Sequence, residues 1–136
     1  MVRVILGKAG AGKTKQLIEQ INAETEVAQG NLVCIEPKRE LTYDLHYHIR
    51  LVSAEDYPVR SLEAFQGFLA GMYASNYDIT HIFIDNLIKI TGDTDPIRIE
   101  NFLNWLDNFS EKNNIKFTIT MNADHFTPTE GIKKFC

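Results

Sequence analysis

The sequence VRVILGKAGAGKT, residues 2–14, decides the fold class of this chain. It opens with a short, mostly apolar run rich in β-branched side chains, which predicts a buried strand over residues 2–6. A glycine-rich loop follows, and after it apolar residues recur at helical spacing, at Leu17, Ile18, Ile21 and Ala28. A strand, a loop and a helix in this order predict the first unit of a parallel α/β sheet.

The rest of the chain repeats this alternation of short apolar runs and longer stretches of helical spacing. Further strands are predicted at 32–35, 79–84 and 116–121, with a weaker candidate at 58–62. Helices are predicted over 38–52, after Ser61, from Asp95 and Pro96 onward, and in a final turn between 127 and 135. This order predicts an α/β fold of three layers, α/β/α, around a mainly parallel sheet of four or five strands.

Two of these helices rest on particular residues. The helix over 38–52 is predicted from an i, i+4, i+8, i+11 pattern of apolar side chains, at Leu41, Leu45, Ile49 and Val52. In the helix after Ser61, Gly67 and Gly71 are expected to allow close packing at some cost in helix stability.

Composition limits the classes of protein that the chain fits. With 136 residues, 44% of them hydrophobic, we expect one domain over residues 1–136. Lys and Arg total 14 against 18 Asp and Glu, and no basic run stands out, so strong nucleic-acid binding is not expected. Cys34 and Cys136 form no disulfide framework. No apolar stretch approaches the about 18 residues of a membrane span and no leader is evident, which favours a cytoplasmic protein without membrane contact.

Residues 7–14 read GKAGAGKT and satisfy the pattern GxxxxGK[ST]. Its glycines let successive backbone N–H groups face one anion, and the following helix adds the positive end of its dipole. We expect Lys13, on an exposed loop, to reach the β- and γ-phosphates, and the Thr14 hydroxyl to ligate Mg²⁺. The pattern predicts binding of ATP or GTP with Mg²⁺ by Gly7, Lys8, Ala9, Gly10, Ala11, Gly12, Lys13, Thr14 and Lys15. A dinucleotide GxGxxG is not formed, because Lys15 replaces its third glycine.

A carboxylate at the end of a second strand would complete such a site. Asp85 follows the apolar run of residues 79–84 and is predicted to hold the magnesium ion or a water bound to it. The alternative is that Asp85 only caps a turn.

These two motifs resemble those of the P-loop NTPase superfamily, in particular its ASCE division, in which further strands intervene between the P-loop strand and the Walker B strand. Within that division the order of pieces resembles the first RecA-like domain of UvrD- and RecD-type helicases, with GKAGAGKT as motif I and CIEPKREL, VRSLEAF and FIDN at the later motifs. The opening ILGKAGAGKT also resembles the N-terminus of AddB-like nuclease subunits. A helicase needs a second RecA-like domain, so a complete helicase is not expected.

The resemblance also implies catalytic positions. Active members follow the Walker B Asp with a Glu, whereas this chain has Asn86, which cannot accept a proton; slow hydrolysis is therefore expected. Glu36 occupies the place where RecA-like recombinases carry their catalytic Glu; alternatively it favours the positive end of the helix over 38–52. Asn122 stands where such proteins often carry a polar sensor of the γ-phosphate, or it is a strand-end turn residue.

Other candidate residues and functions stay open. Arg39, Arg50, Arg60 and Arg98 are candidates for stabilising transition-state charge, and the sequence selects none of them. His46 and His48 are two apart on a predicted helix and so are expected on the surface rather than in a metal site. Besides a slow NTPase, the sequence fits a catalytically inactive module whose nucleotide state controls contact with a protein partner or a second copy. A small-molecule kinase is less favoured, because no Arg-rich lid is evident.

Overall fold

The computed structural model describes residues 1–41, 44–45 and 48–136. The strands are β1 (Val2–Gly7), β2 (Asn31–Glu36), β3 (Arg50–Ser53), β4 (Ile79–Ile84) and β5 (Lys116–Asn122). The α-helices are α1 (Lys13–Thr25), α2 (Leu62–Ser75), α3 (Leu87–Thr91), α4 (Pro96–Asn113) and α5 (Glu130–Lys133). A short 3₁₀ turn, Ala54–Asp56, follows β3.

All five strands are parallel and form one sheet in the order β1-β5-β4-β2-β3. Another strand, β5, separates β1 from β4 in the sheet. The carboxyl ends of parallel strands share one edge of a sheet, so the loop after β1 lies on the same edge as Glu36, Asp85 and Asn122. This edge positions the candidate site.

Two apolar clusters cover the two faces of the sheet. On one face, Leu17 and Ile21 of α1 pack against residues of the central strands, including Cys34 and Phe83. On the other, residues of α2, α3 and α4 pack against a larger set that includes Ile82 and Ile84. The predicted three-layer α/β/α architecture with a parallel sheet of five strands is confirmed.

Three predicted helix starts are confirmed by side chains that cap them. Ser61 Oγ accepts the Ala64 N–H at 3.0 Å, and Asp95 Oδ1 accepts the Ile97 N–H at 3.0 Å. Thr129 Oγ1 accepts the Ile132 N–H at 3.1 Å and begins α5, the predicted final turn. These caps satisfy backbone donors that a helix start otherwise leaves unpaired.

The prediction of a helix over 38–52 is wrong for the described residues. Val52 belongs to β3, and neither Leu41, Leu45 nor Ile49 is helical; part of the segment, residues 42, 43, 46 and 47, lies outside the described residues. Leu41 and Ile49 are nevertheless buried against the α1 side of the sheet. The apolar spacing at Leu41 and Ile49 therefore reflects burial outside a helix, which periodicity alone does not distinguish from a helix.

Two other details also differ from expectation. The strand predicted at 58–62 is absent, since residues 58–61 are irregular and Leu62 begins α2; β3 takes the sheet edge instead. A Cβ added at Gly67 or Gly71 would meet nothing within 4 Å, so these glycines do not serve close packing. In the part of the chain that the structure describes, no helix combines the length and apolar character needed to cross a membrane.

Candidate functional site

The glycine-rich loop between β1 and α1 has the backbone conformation that its sequence predicts. Gly10 and Gly12 have φ of 82° and 83°, in the left-handed region that favours glycine. The Ala11 N–H donates to the Lys8 carbonyl at 3.2 Å and tightens the turn. Gly12 is the N-cap of α1 and offers no side-chain acceptor to the first turn. Backbone donors at the start of α1 are thus available to an anion.

Lys13 is buried, although we expected it on an exposed loop. Its side chain crosses Gly7, where an added Cβ would lie 3.5 Å from Lys13 Cδ, and its Nζ donates to the Lys8 carbonyl at 2.6 Å. The ammonium group is therefore held inside the curve of its own loop. Such a fixed cation suits a site for negatively charged oxygens.

Asp85 joins the start of α1 to the sheet. Its Oδ1 accepts the Thr14 hydroxyl at 3.1 Å and the Thr120 hydroxyl at 2.9 Å, and the carboxylate is buried. The Asp85 N–H donates to the Ile35 carbonyl at 2.8 Å, which extends the β2–β4 pairing to this residue. Thr14 and Asp85, both predicted as metal ligands, thus lie in direct contact.

Asn86 and Asn122 line the same cavity as the glycine-rich loop. The cavity has a volume of about 380 Å³ and is lined by Ala9, Gly10, Gly12, Lys13, Thr14, Lys15, Asp85, Asn86, Thr120 and Asn122. Asn86 has φ of 65°, and its Oδ1 accepts the Lys89 N–H at 3.2 Å as the N-cap of α3. The side-chain oxygen of Asn86 is thus already used to cap the start of α3.

Glu36 lies beside this cavity without lining it. The β2–β4 register pairs Ile35 with Ile84, so Glu36 and Asp85 stand at neighbouring strand ends. Glu36 Oε1 accepts the N–H groups of Glu40 and Leu41 at 2.8 and 3.1 Å, and Oε2 has no partner among the described residues. Burial raises the pKa of Glu36, with Asp85 and Glu40 adding to the effect and the two N–H donors opposing it. The helix start that was the alternative role for Glu36 is not present in the described residues.

Two residues that sequence reasoning missed also reach the site. Thr120 bonds Asp85, and its Oγ1 also accepts the Asn86 N–H at 2.7 Å. Asp124 Oδ2, in the segment after β5, accepts the Ala9 N–H of the glycine-rich loop at 3.1 Å. The alternation of side chains along β5 predicts Thr120 at the site, because Thr120 lies on the same face of the strand as Asn122. No sequence pattern pointed to Asp124.

The candidate arginines differ in their surroundings. Arg39 pairs with Asp56 at 3.0 Å, and Arg98 pairs with Glu63 and Asp93. Arg60 donates to the Lys89 carbonyl at 3.4 Å, close to α3. Pairing with carboxylates therefore sets Arg39 and Arg98 apart as poorer candidates for stabilising phosphate charge.

A second polar cluster lies on the same face of the sheet at its opposite end. His81 Nδ1 lies 2.7 Å from Glu24 Oε2 and His81 Nε2 lies 2.8 Å from Thr118 Oγ1. The ring stacks on Phe83 with centroids 3.9 Å apart. Burial lowers the pKa of His81, and the nearby Glu24 opposes the shift. This cluster ties the C-terminal end of α1 to β4 and β5.

No family model matches the chain, and no curated protein matches it in sequence.

Proposed function

We propose that the protein binds ATP or GTP together with Mg²⁺ through residues 7–14 and Asp85, and that it hydrolyses the nucleotide slowly. The observation that carries the proposal is the 3.1 Å contact between Thr14 Oγ1 and Asp85 Oδ1, beside a loop whose two left-handed glycines leave backbone donors at the start of α1. A hydroxyl and a carboxylate in contact, next to a buried ammonium group, form a combination suited to a metal ion bridging phosphate oxygens.

The residues at the site fit both the phosphates of a nucleotide and a Mg²⁺ ion. Lys13 and the first N–H groups of α1 would hold phosphate oxygens, and Thr14 and Asp85 would offer the oxygen ligands that Mg²⁺ prefers. Among the described residues, no three His, Cys, Asp or Glu side chains form a metal cluster. Mg²⁺ usually keeps several waters and is held by one or two protein ligands plus phosphates, so two ligands suffice. When bound, the ion would supply neutralisation of phosphate charge.

Hydrolysis would be slow because, among the described residues, no side chain is well placed to take a proton from the attacking water. Asn86 cannot accept a proton, and its side-chain oxygen is engaged by Lys89. Glu36 is the alternative base, yet it does not line the cavity and one of its oxygens is occupied by two backbone donors. Asn122, which lines the cavity, would orient the water or a phosphate oxygen without taking a proton.

A second candidate function is a nucleotide-dependent binding module without useful catalysis. The capping role of Asn86 favours it, because a residue committed to α3 links the nucleotide cavity to the position of that helix. A protein partner or a second copy would then recognise the bound state. We place either activity in the cytoplasm, where the unpaired thiols Cys34 and Cys136 would stay reduced.

Titration of the protein with ATP and GTP, with and without Mg²⁺, tests the proposal. We expect saturable binding that Mg²⁺ strengthens, and a loss of about 10- to 100-fold in Lys13→Ala, because hydrogen bonds to charged groups contribute about 1.5–3 kcal/mol. Lys112→Ala, a change on the exposed face of α4, is the matched control and should bind as wild type. Equal affinity of Lys13→Ala and wild type would exclude the phosphate role of the loop.

A further inference from the structure

Two buried oxygen atoms at neighbouring strand ends have no hydrogen-bond partner among the described residues. They are Glu36 Oε2, at the end of β2, and Ser53 Oγ, at the end of β3. The parallel register pairs Glu36 directly with Ser53, so their side chains lie on the same face of the sheet. Glu36 is 1% exposed and Ser53 6% exposed. The two groups therefore form one buried polar spot.

This spot borders a cavity of about 320 Å³ that shares no lining residue with the nucleotide cavity. Its lining residues are Glu36, Arg39, Arg50, Leu51, Val52, Ser53, Asp56 and Tyr57. The volume is far larger than the about 30 Å³ share of one water molecule, so a single water does not account for it. It lies within the range of small-ligand sites.

The unpartnered oxygens indicate what an occupant must provide. Buried polar atoms are nearly always paired, and an unpaired acceptor such as Glu36 Oε2 favours binding of a hydrogen-bond donor. The donor group is constrained by the charged side chains that line the same cavity, two arginines and two carboxylates. Arg39 is paired with Asp56, whereas Arg50 is exposed and makes no ion pair with a described residue. Because Arg39 and Asp56 pair with each other, the charged groups left to an occupant are Glu36, as the acceptor, and Arg50, as the cation. A molecule that carries a neutral hydroxyl donor and an anionic group would match both.

We propose that this cavity binds a small hydroxylated anion, whose hydroxyl group donates to Glu36 Oε2 beside Ser53 Oγ and whose carboxylate or phosphate pairs with Arg50. The site does not depend on nucleotide binding. Because Glu36 stands next to Asp85 at the carboxyl edge, the two cavities are neighbours, and an occupant of one borders the other.

Backbone-amide NMR titration of the nucleotide-free protein tests this inference, since it detects weak binding and locates it. The hydroxylated probes are glycolate, glycerate and glycerol 3-phosphate, and the matched probes without a hydroxyl group are acetate and propionate. We expect saturable shifts confined to the ends of β2 and β3. The hydroxy acids should bind about ten times more tightly than acetate and propionate, because a site that pairs a hydroxyl group rejects the analogue without it.

Two variants separate the parts of the site. Ser53→Ala removes a hydroxyl that has no partner, so the fold should persist, and we expect weaker binding of the hydroxylated probes. Arg50→Gln should weaken hydroxylated and hydroxyl-free anions alike. Glu130→Gln, an exposed change on α5 outside the cavity lining, is the control and should bind as wild type.

Three results would overturn the inference. They are the absence of saturable shifts with all three hydroxylated probes, equal binding of the hydroxylated and matched probes, and unchanged binding in both Ser53→Ala and Arg50→Gln. Glycerol 3-phosphate and the hydroxy acids distinguish a phosphate from a carboxylate as the anionic group.

Discussion

The two ends of α1 contact the sheet through polar clusters of different character. At its C-terminal end, Glu24 and Thr118 engage both ring nitrogens of His81. At its N-terminal end, Thr14 and Thr120 both donate to one oxygen of Asp85, and the other oxygen makes no hydrogen bond to a described residue. Both clusters use β4 and β5 and lie on one face of the sheet.

The difference separates a cluster that supports the fold from one that is available to a ligand. In the His81 cluster the histidine is 5% exposed, its ring stacks on Phe83 and both ring nitrogens are paired, so an added group would only displace existing bonds. The Asp85 cluster opens on the 380 Å³ cavity and keeps acceptor capacity. Changes at the N-terminal end of α1 should thus alter ligand binding, and changes at the C-terminal end should alter stability.

The largest expected effect is on hydrolysis, at the position after Asp85. Installing a carboxylate there by Asn86→Glu should raise single-turnover hydrolysis of MgATP, since a positioned general base contributes about 10²- to 10⁴-fold. Because residue 86 has φ of 65° and caps α3, Asn86→Asp is the better-tolerated second variant. The wild type should be slow.

The competing outcome assigns the base to Glu36. Wild-type turnover would then be readily measurable, Glu36→Gln would abolish it at unchanged nucleotide affinity, and neither change at Asn86 would add to it. A fast wild type that is insensitive to Glu36→Gln would contradict both assignments.

The next effect concerns the metal. In Asp85→Asn the residue keeps its size and can still accept from Thr14, but it loses its charge, so the Mg²⁺ enhancement of ATP affinity should fall by about tenfold, or about 1.4 kcal/mol. Metal-free affinity should remain, because the backbone donors of the loop persist. Calorimetric titration with and without Mg²⁺ measures both. Asp78→Asn, just before β4 at the opposite end, is the control, and a full Mg²⁺ enhancement in Asp85→Asn would place the metal elsewhere.

At the other end of α1, His81→Leu should lower the free energy of unfolding by about 1–3 kcal/mol, because the buried Thr118 hydroxyl loses its partner. Nucleotide affinity should stay unchanged. Urea unfolding and the same calorimetric titration test the two statements, with exposed His125→Gln as the control. A loss of nucleotide affinity without a loss of stability would show that the His81 cluster serves ligand binding rather than the fold.

The same histidine predicts a dependence of stability on pH. The pKa of His81 is lower in the folded protein than the about 6.5 of an unfolded chain, so the unfolded chain binds more protons as pH falls below that value. Stability should therefore decrease from pH 7.5 to 5.5, and this decrease should be smaller in His81→Leu. Equal slopes in the two proteins would show that His81 is not the titrating group.

The smallest expected effect is at Asp124, whose carboxylate accepts from the Ala9 N–H. Asp124→Asn keeps an acceptor and removes a negative charge beside the proposed phosphate-binding loop, so ATP affinity should rise by a few-fold, with the gain reduced at high salt. Glu130→Gln, an exposed change on α5, is the control. A lower affinity in Asp124→Asn would instead give the carboxylate a supporting role in the loop.

The sequence predicted the glycine-rich loop and Asp85 better than it predicted Thr120 and Asp124. A strand, left-handed glycines and a helix start are local features, so the loop before Thr14 and the partner Asp85 followed from their motifs. Thr120 and Asp124 reach the site only because β5 lies between β1 and β4, and strand order is not encoded in any local pattern. The helix predicted over 38–52 is wrong at Leu41 and Ile49, because burial of these two non-helical side chains alone produced helical spacing.

The position of β1 at the sheet edge has a consequence for folding kinetics. Among the described residues its only sheet neighbour is β5, with Val2 opposite Phe117, so the pairing closes a loop of most of the chain. Closing such a loop costs entropy before any contact compensates for it, and pairings of this kind slow folding. We therefore expect β1, and with it the glycine-rich loop that follows, to join the sheet only after β5 is in place.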